Sequence, residues 1–347
     1  MDVRFSPEQQ ALRDSAVLLV DRLAPRVVAQ LHDPERTAKL DAAVEAAGWR
    51  ELRIAGPGGG PWASAVEVAI VAEELGRALA DTALLGPTLA AELRRLAGAD
   101  PAQSRETVAL EASLDRSAEA PAQRLARDAV AIDAAGAESA LVLLAGPDGF
   151  VLGAVPVAEP GHAVDLTRSL VTVSASTPVT AVAGPAPVLT ADLLSRWTAL
   201  GLAVTAADLV GTMSGALRLA CDYAGSRQQY GVPIGSFQAV QHLLADAFVA
   251  LEGSRSTSLH AAWAVDALPA AEALAAAAIA KAYAARAARQ VCETAIQVHG
   301  GIGNTWDCLA HVFLRRALVS TDILGGEGPS LTRVLDHHRV GGHDGLR

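Results

Sequence analysis

Residues 226–246 read SRQQYGVPIGSFQAVQHLLAD. Within this stretch Phe237, Val240 and Leu244, continued by Ala247 and Leu251, recur at spacings of three and four. That period sets one apolar face on a helix bounded by Gln238, Gln241 and Asp246. Read by itself, Arg227 sits at an ordinary helix C-terminus, so the stretch predicts a helix ending, a turn and a long second helix.

Working outward, the pattern on both sides is helical. A helix is predicted over 190–225, Pro269 starts an alanine-rich helix running to about His299, and another follows over 307–320. Together these predict an antiparallel bundle. The helix around residue 207 carries small residues at every fourth position, Ala203, Ala207, Gly211 and Gly215. Such a ridge lets a neighbouring helix or a cofactor approach closely, and helix packing is the simpler reading.

Upstream the texture changes. ALVLLA (140–145), GFVLGAVPV (149–157) and SLVTVSAS (169–176) are short β-type runs separated by turn dipeptides. Before them, Ser6, Pro7, Glu8 and Gln9 form a capping box with proline in the first turn, and a second helix is predicted over 63–80. The glycine-rich IAGPGGGPW (54–62) between these helices must be loop. The expected fold is mostly α with a small β domain: an N-terminal helical domain (1–105), a reduced antiparallel β-barrel domain (106–188) and a C-terminal four-helix bundle (189–347).

Composition narrows the function classes. With 347 residues, 51% of them apolar, the chain can bury a large core without metals or disulfides. A net charge of −10 argues against nucleic acid as a partner. MDVRFSPEQQ lacks the basic and apolar regions of a signal peptide, and no run of about 18 apolar residues occurs, so a cytoplasmic protein without membrane insertion is expected. Cys221, Cys292 and Cys308 form no CxxC pair and the histidines no HExxH, so no metal site is expected.

Two stretches in the bundle carry a specific resemblance. SRQQYGVPIGSFQAVQHLLAD (226–246) and QVHGGIGNTWDCLAHVFLRRA (297–317) resemble the C-terminal domain of FAD-dependent acyl-CoA dehydrogenases. DLTRS (165–169) and AEELGRALA (72–80) are similar to that family's β and N-terminal domains. The resemblance implies FAD as cofactor, an acyl-CoA substrate, α,β-dehydrogenation of the thioester, and an electron-transfer-flavoprotein-type acceptor. It also implies that Arg227, Gln229, Tyr230, Gln297, Gly300 and Gly301 hold the adenine-side half of a flavin seated mainly in a neighbouring subunit. The residue types suit that task, because a doubly negative pyrophosphate calls for a guanidinium and for backbone N–H groups unobstructed by a Cβ.

Three departures bear on catalysis. In TDILGGEGPS (321–330) the carboxylate is Glu327, the candidate base, yet an ungapped count puts the family's base on Leu324. Ser195, before Arg196, matches the alternative base position and cannot abstract the proton unaided. The family's Thr-Glu-Pro segment has no counterpart between 100 and 135. This combination resembles the shortened partner subunits of actinobacterial heterotetrameric acyl-CoA dehydrogenases, some of which act on sterol side chains. It implies a fuller-length dehydrogenase subunit as partner. A self-sufficient homotetramer using Glu327, and a flavin-free scaffold, are the alternatives.

Overall fold

Ser6 begins the first helix as its sequence dictates: its hydroxyl accepts from the Gln9 amide while Gln9 Oε1 accepts from the Ser6 amide. The computed structural model describes residues 4–341 apart from 122, 147, 148, 160, 162 and 183–187. Four helices precede the sheet: α1 (Pro7–Leu23), α2 (Pro34–Ala46), α3 (Ala65–Arg77) and α4 (Leu85–Leu96). Asp33 caps α2 and Ser64 caps α3 through their side-chain oxygens.

Seven strands follow: β1 (Glu106–Glu111), β2 (Glu119–Ala120), β3 (Ala129–Ala131), β4 (Ser139–Gly146), β5 (Gly149–Pro156), β6 (Val171–Val173) and β7 (Thr180–Ala181). They form one sheet of order β6-β3-β1-β4-β5-β7, with β2 also paired to β4. The expected fold class holds, but the expected antiparallel barrel becomes an open, mixed sheet. β1 and β2 both run parallel to β4, and the order ends on two different edge strands, β6 and β7. The edge strands are two and three residues long, too short to wrap round and pair with each other.

The bundle consists of α5 (Ala191–Ser226), a short hairpin of β8 (Gln228–Gln229) and β9 (Val232–Pro233), then α6 (Gln238–Ala267), α7 (Ala270–His299), α8 (Ala310–Asp322) and α9 (Glu327–Gly341). Three long helices and two short ones thus stand where four were expected. α5 has the length and composition to cross a membrane, yet 94% of its most apolar window is buried inside the protein. Its small-residue ridge meets α3 backbone to backbone. A Cβ on Gly211 would lie 1.9 Å from the Glu73 carbonyl oxygen, and one on Gly215 2.2 Å from that of Arg77. Gly76 on α3 reciprocates, with the Asp208 carbonyl 2.5 Å from its imagined Cβ. The ridge serves helix packing.

Candidate functional site

Arg227 ends α5, its amide donating to the Tyr223 carbonyl at 2.8 Å. Its carbonyl accepts from the Ile234 amide at 2.8 Å, which closes the β8–β9 hairpin back on the helix end. Tyr230 and Gly231 make the turn of that hairpin, with φ of 53° and 80°. Type I′ turns require two such left-handed residues. The turn holds the Tyr230 ring out in solvent, 94% exposed, edge-on to Phe237 at 6.2 Å. Gln229 is exposed beside it, its side-chain amide donating to the Gln228 carbonyl.

α7 ends at the same end of the bundle as α5. Tyr223, one turn before Arg227, stacks on His299 with ring centroids 4.4 Å apart, so the two helix ends are tied together. Gln297 is exposed on the last turn of α7. Gly300 follows at φ 65° and ψ −142°, a conformation open to glycine but not to side-chain-bearing residues. No atom lies within 4 Å of where a Cβ on Gly300 or Gly301 would stand. The structure therefore brings all six residues, Arg227, Gln229, Tyr230, Gln297, Gly300 and Gly301, to one exposed end of the bundle.

The electrostatics of this face rest on Arg227. Both helices present their C-termini here, and the partial negative charge of helix C-termini opposes an anion. The Arg227 guanidinium makes no hydrogen bond or ion pair among the described residues, so it is the charge free to offset that field. The open glycine turn leaves room for a phosphate to approach the backbone, while the Gly300 amide itself is spent on the Gln297 and Ile296 carbonyls. The residues present thus fit the nucleotide half of a flavin.

The candidate base lies elsewhere. Glu327 is the first residue of α9, its side chain 41% exposed and 3.8 Å from the exposed Arg286 of α7. Leu324, where the ungapped count puts the base, is fully buried. Its Cδ1 would lie 2.1 Å from a Cβ on Gly201 of α5, so the leucine fills the space that this glycine leaves. Leu324 also holds φ at 62°, which costs a non-glycine residue roughly 1 kcal/mol or more. Its amide donates to the Leu114 carbonyl at 2.6 Å, and Arg333 of α9 spans the carbonyls of Leu324 and Asp115. The connection between β1 and β2 is thereby clasped over the start of α9. Ser195 lines a separate cleft near the start of α5, and Arg196 donates to the Val265 and Leu268 carbonyls at the end of α6.

A buried ion network, not legible as such in the sequence, fixes the sheet on the bundle. Asp208 of α5 accepts from Arg316 of α8 at 2.6 Å and from Ser320 at 2.7 Å, and pairs with Arg168 of the DLTRS segment at 2.8 Å. Arg316 also donates to Thr167 at 2.8 Å. Burial alone would raise the Asp208 pKa, but the Arg168 and Arg316 guanidinium groups hold it below the usual carboxylate range. Nearby, Lys281 is fully buried and donates from Nζ to the Ser320 and Ile323 carbonyls, capping α8. Burial, aided by Arg168, pushes its pKa down to about 7. Among the described residues no cluster of histidine, cysteine and carboxylate side chains has metal-ligating geometry.

The three-part fold of helices, sheet and helical bundle is that of the acyl-CoA dehydrogenases. The acyl-CoA dehydrogenase C-terminal domain matches residues 199–335. The acyl-CoA dehydrogenase IpdE2 of Mycolicibacterium smegmatis is 31% identical over 337 residues, spanning 95% of this chain and 98% of that one. Among solved structures, the ChsE4–ChsE5 complex of Mycobacterium tuberculosis aligns with a TM-score of 0.79 and 25% identity over 98% of this chain and 99% of that one. The Tcur3481–Tcur3483 steroid ACAD aligns at 0.80 and 25% over 96% and 98%. The chain belongs to the acyl-CoA dehydrogenase family and is an oxidoreductase of that type, with FAD the cofactor that the family implies.

Proposed function

We propose that this chain is one subunit of a heteromeric acyl-CoA dehydrogenase and completes the FAD site of a fuller-length partner subunit. The observation that carries this reading is a contrast within one molecule. The nucleotide face is open and the side chain of its arginine has no partner among the described residues, whereas the base position is sealed by Leu324 packed on Gly201. Two similar solved structures, the ChsE4–ChsE5 complex and the Tcur3481–Tcur3483 steroid ACAD, have two-component names, and the second is called a steroid enzyme. They favour a heteromer acting on a bulky, steroid-derived acyl-CoA.

In the reaction an α-proton and a β-hydride leave the acyl thioester, and the flavin supplies the hydride acceptor. Arg227 of this chain would neutralise the pyrophosphate, the Gly300–Gly301 turn would let it approach the backbone, and Gln229, Tyr230 and Gln297 would help hold the adenine-side half. Removal of the α-proton falls to the partner. The base needs a dry pocket that raises its pKa, and the exposed Glu327 beside Arg286 lacks one.

Co-expression and co-purification with a fuller-length acyl-CoA dehydrogenase subunit tests this reading. One flavin per pair of subunits is expected, and Arg227→Ala should release flavin during gel filtration. The reading is overturned if the chain alone carries stoichiometric flavin and oxidises an acyl-CoA, or if Arg227→Ala retains flavin fully.

A further inference from the structure

Arg227 ends α5 and the Gly300–Gly301 turn follows α7, so one pyrophosphate meets both only if the two helix ends keep a fixed spacing. Ala224 and His299 are the last buried residues of their helices. Beyond them Arg227, Gln228, Gln229, Gly300 and Gly301 are all exposed, so the spacing is set at the turn where burial stops.

His299 is gripped there from three sides. Its Nδ1 lies 2.7 Å from the Ala295 carbonyl, and because a carbonyl only accepts, Nδ1 carries the proton and donates. That bond fixes the rotation of the ring. The ring stacks on Tyr223 of α5 with centroids 4.4 Å and planes 24° apart, within the range that offset aromatic pairs favour. The turn Gly300–Asn304 then folds back onto the same residue: a Cβ on Gly303 would stand 3.1 Å from the His299 Cβ and 2.8 Å from the Ile296 carbonyl oxygen.

Tyr223 carries the contact on to the arginine. Its carbonyl accepts from the Arg227 amide at 2.8 Å, and the Arg227 carbonyl accepts from the Ile234 amide at the same distance. Gly235 seats the hairpin on this turn of α5, where a Cβ would stand 3.0 Å from the Ala224 carbonyl oxygen. One ring pair thus joins the backbone that bears Arg227 to the backbone that bears the glycine turn. We propose that His299 is a positioning residue of the nucleotide face: stacked on Tyr223, it sets the distance between Arg227 and the Gly300–Gly301 turn, and so the fit of this face to a pyrophosphate. This role rests on the cofactor role proposed above and adds to it a residue that acts without touching the ligand. α5 and α7 run 36 and 30 residues, so losing one ring at their ends loosens the spacing without unfolding the bundle.

The test uses this chain co-expressed with a fuller-length acyl-CoA dehydrogenase subunit, stripped of flavin and titrated with FAD, with binding read from the change in flavin fluorescence. His299→Ala should weaken FAD binding about tenfold, the upper range for losing an aromatic pair. His299→Phe keeps a ring on Tyr223 and should stay within about twofold of the wild type. Tyr223→Ala should weaken binding as His299→Ala does, and the double variant no further, since both act through one contact. Circular dichroism melts and gel filtration verify that each variant is folded and assembled; Tyr223, only half-buried, gives the same readout from the other helix should His299→Ala fail to fold. The proposal is overturned if folded His299→Ala binds FAD as the wild type does, if His299→Phe is as weak as His299→Ala, or if the Tyr223 and His299 effects add in full. Arg227→Ala, titrated alongside, separates the two readings. FAD weakened by Arg227→Ala but not by His299→Ala removes the positioning role alone, whereas FAD indifferent to Arg227→Ala removes the cofactor role and the positioning role with it.

Discussion

Gly211→Ala puts the packing of α3 on α5 to a quantitative test. In an exposed helix interior this substitution gains about 1 kcal/mol, because alanine restricts the unfolded chain and suits the helix. At Gly211 the new Cβ would stand 1.9 Å from the Glu73 carbonyl oxygen and 2.8 Å from the Arg77 nitrogen. Carbon and oxygen need about 3.2 Å, so α3 must retreat by more than 1 Å along its contact with α5. The obstacle is backbone, so no rotamer change relieves it. Overpacking of this kind costs about 1–3 kcal/mol, and a backbone clash belongs at the upper end. Net destabilisation of about 2 kcal/mol after the helix gain is expected, or a fall of several degrees in melting temperature. Gly225, in the same helix with nothing within 4 Å of its imagined Cβ, is the internal control. Gly225→Ala should be neutral or stabilising by a few tenths of a kcal/mol to about 1 kcal/mol. Thermal melts by far-ultraviolet circular dichroism compare the two. If Gly211→Ala is as stable as Gly225→Ala, the helices do not approach as described and the small-residue ridge needs another explanation.

Glu327→Gln in the assembled enzyme should leave turnover within a few-fold, because its half-exposed carboxylate faces Arg286 rather than a dry pocket; a drop of several orders of magnitude would make Glu327 the base. Lys281 gives a pH dependence with a defined sign. Its folded pKa is pushed down to about 7 from 10.5, so between those values the unfolded chain binds more protons and stability rises with pH. The gain is at most a few kcal/mol, since the Asp208 and Asp322 carboxylates oppose the shift by favouring the ammonium. Lys281→Met should flatten this rise in denaturant midpoints between pH 7 and pH 10; a slope identical to that of the wild type would refute the assignment.

What could be read from the chain alone follows from how local each signal is. The helix over Phe237–Leu251 and the one from Ala270 to His299 rest on patterns repeated over several turns, and both stand where expected. Gly300 and Gly301 were legible for a similar reason, since a paired glycine after a long helix marks a chain reversal. The sheet was harder. β2 and β7 are two residues long, and a dipeptide has no period; that β1 lies parallel to β4 depends on where the intervening chain returns, which alternation cannot specify. α9 was hidden by GGEGPS, which reads as a turn until Pro329 is seen as a first-turn proline.

The decisive feature of the base position is a contact between residues 123 positions apart. Nothing local to Leu324 states that its side chain fills the notch above Gly201, or that its amide is claimed by Leu114. The same separation explains why a short insertion near Glu327 could not be placed from sequence: Leu324 and Gly325 hold φ of 62° and 91° in the turn between α8 and α9, so the chain has changed direction before Glu327 opens α9 with its carboxylate half-exposed beside Arg286. In the proposed function the cofactor role falls to the end of the bundle where the backbone is bare, and proton abstraction passes to the partner because a leucine fills the space at 324.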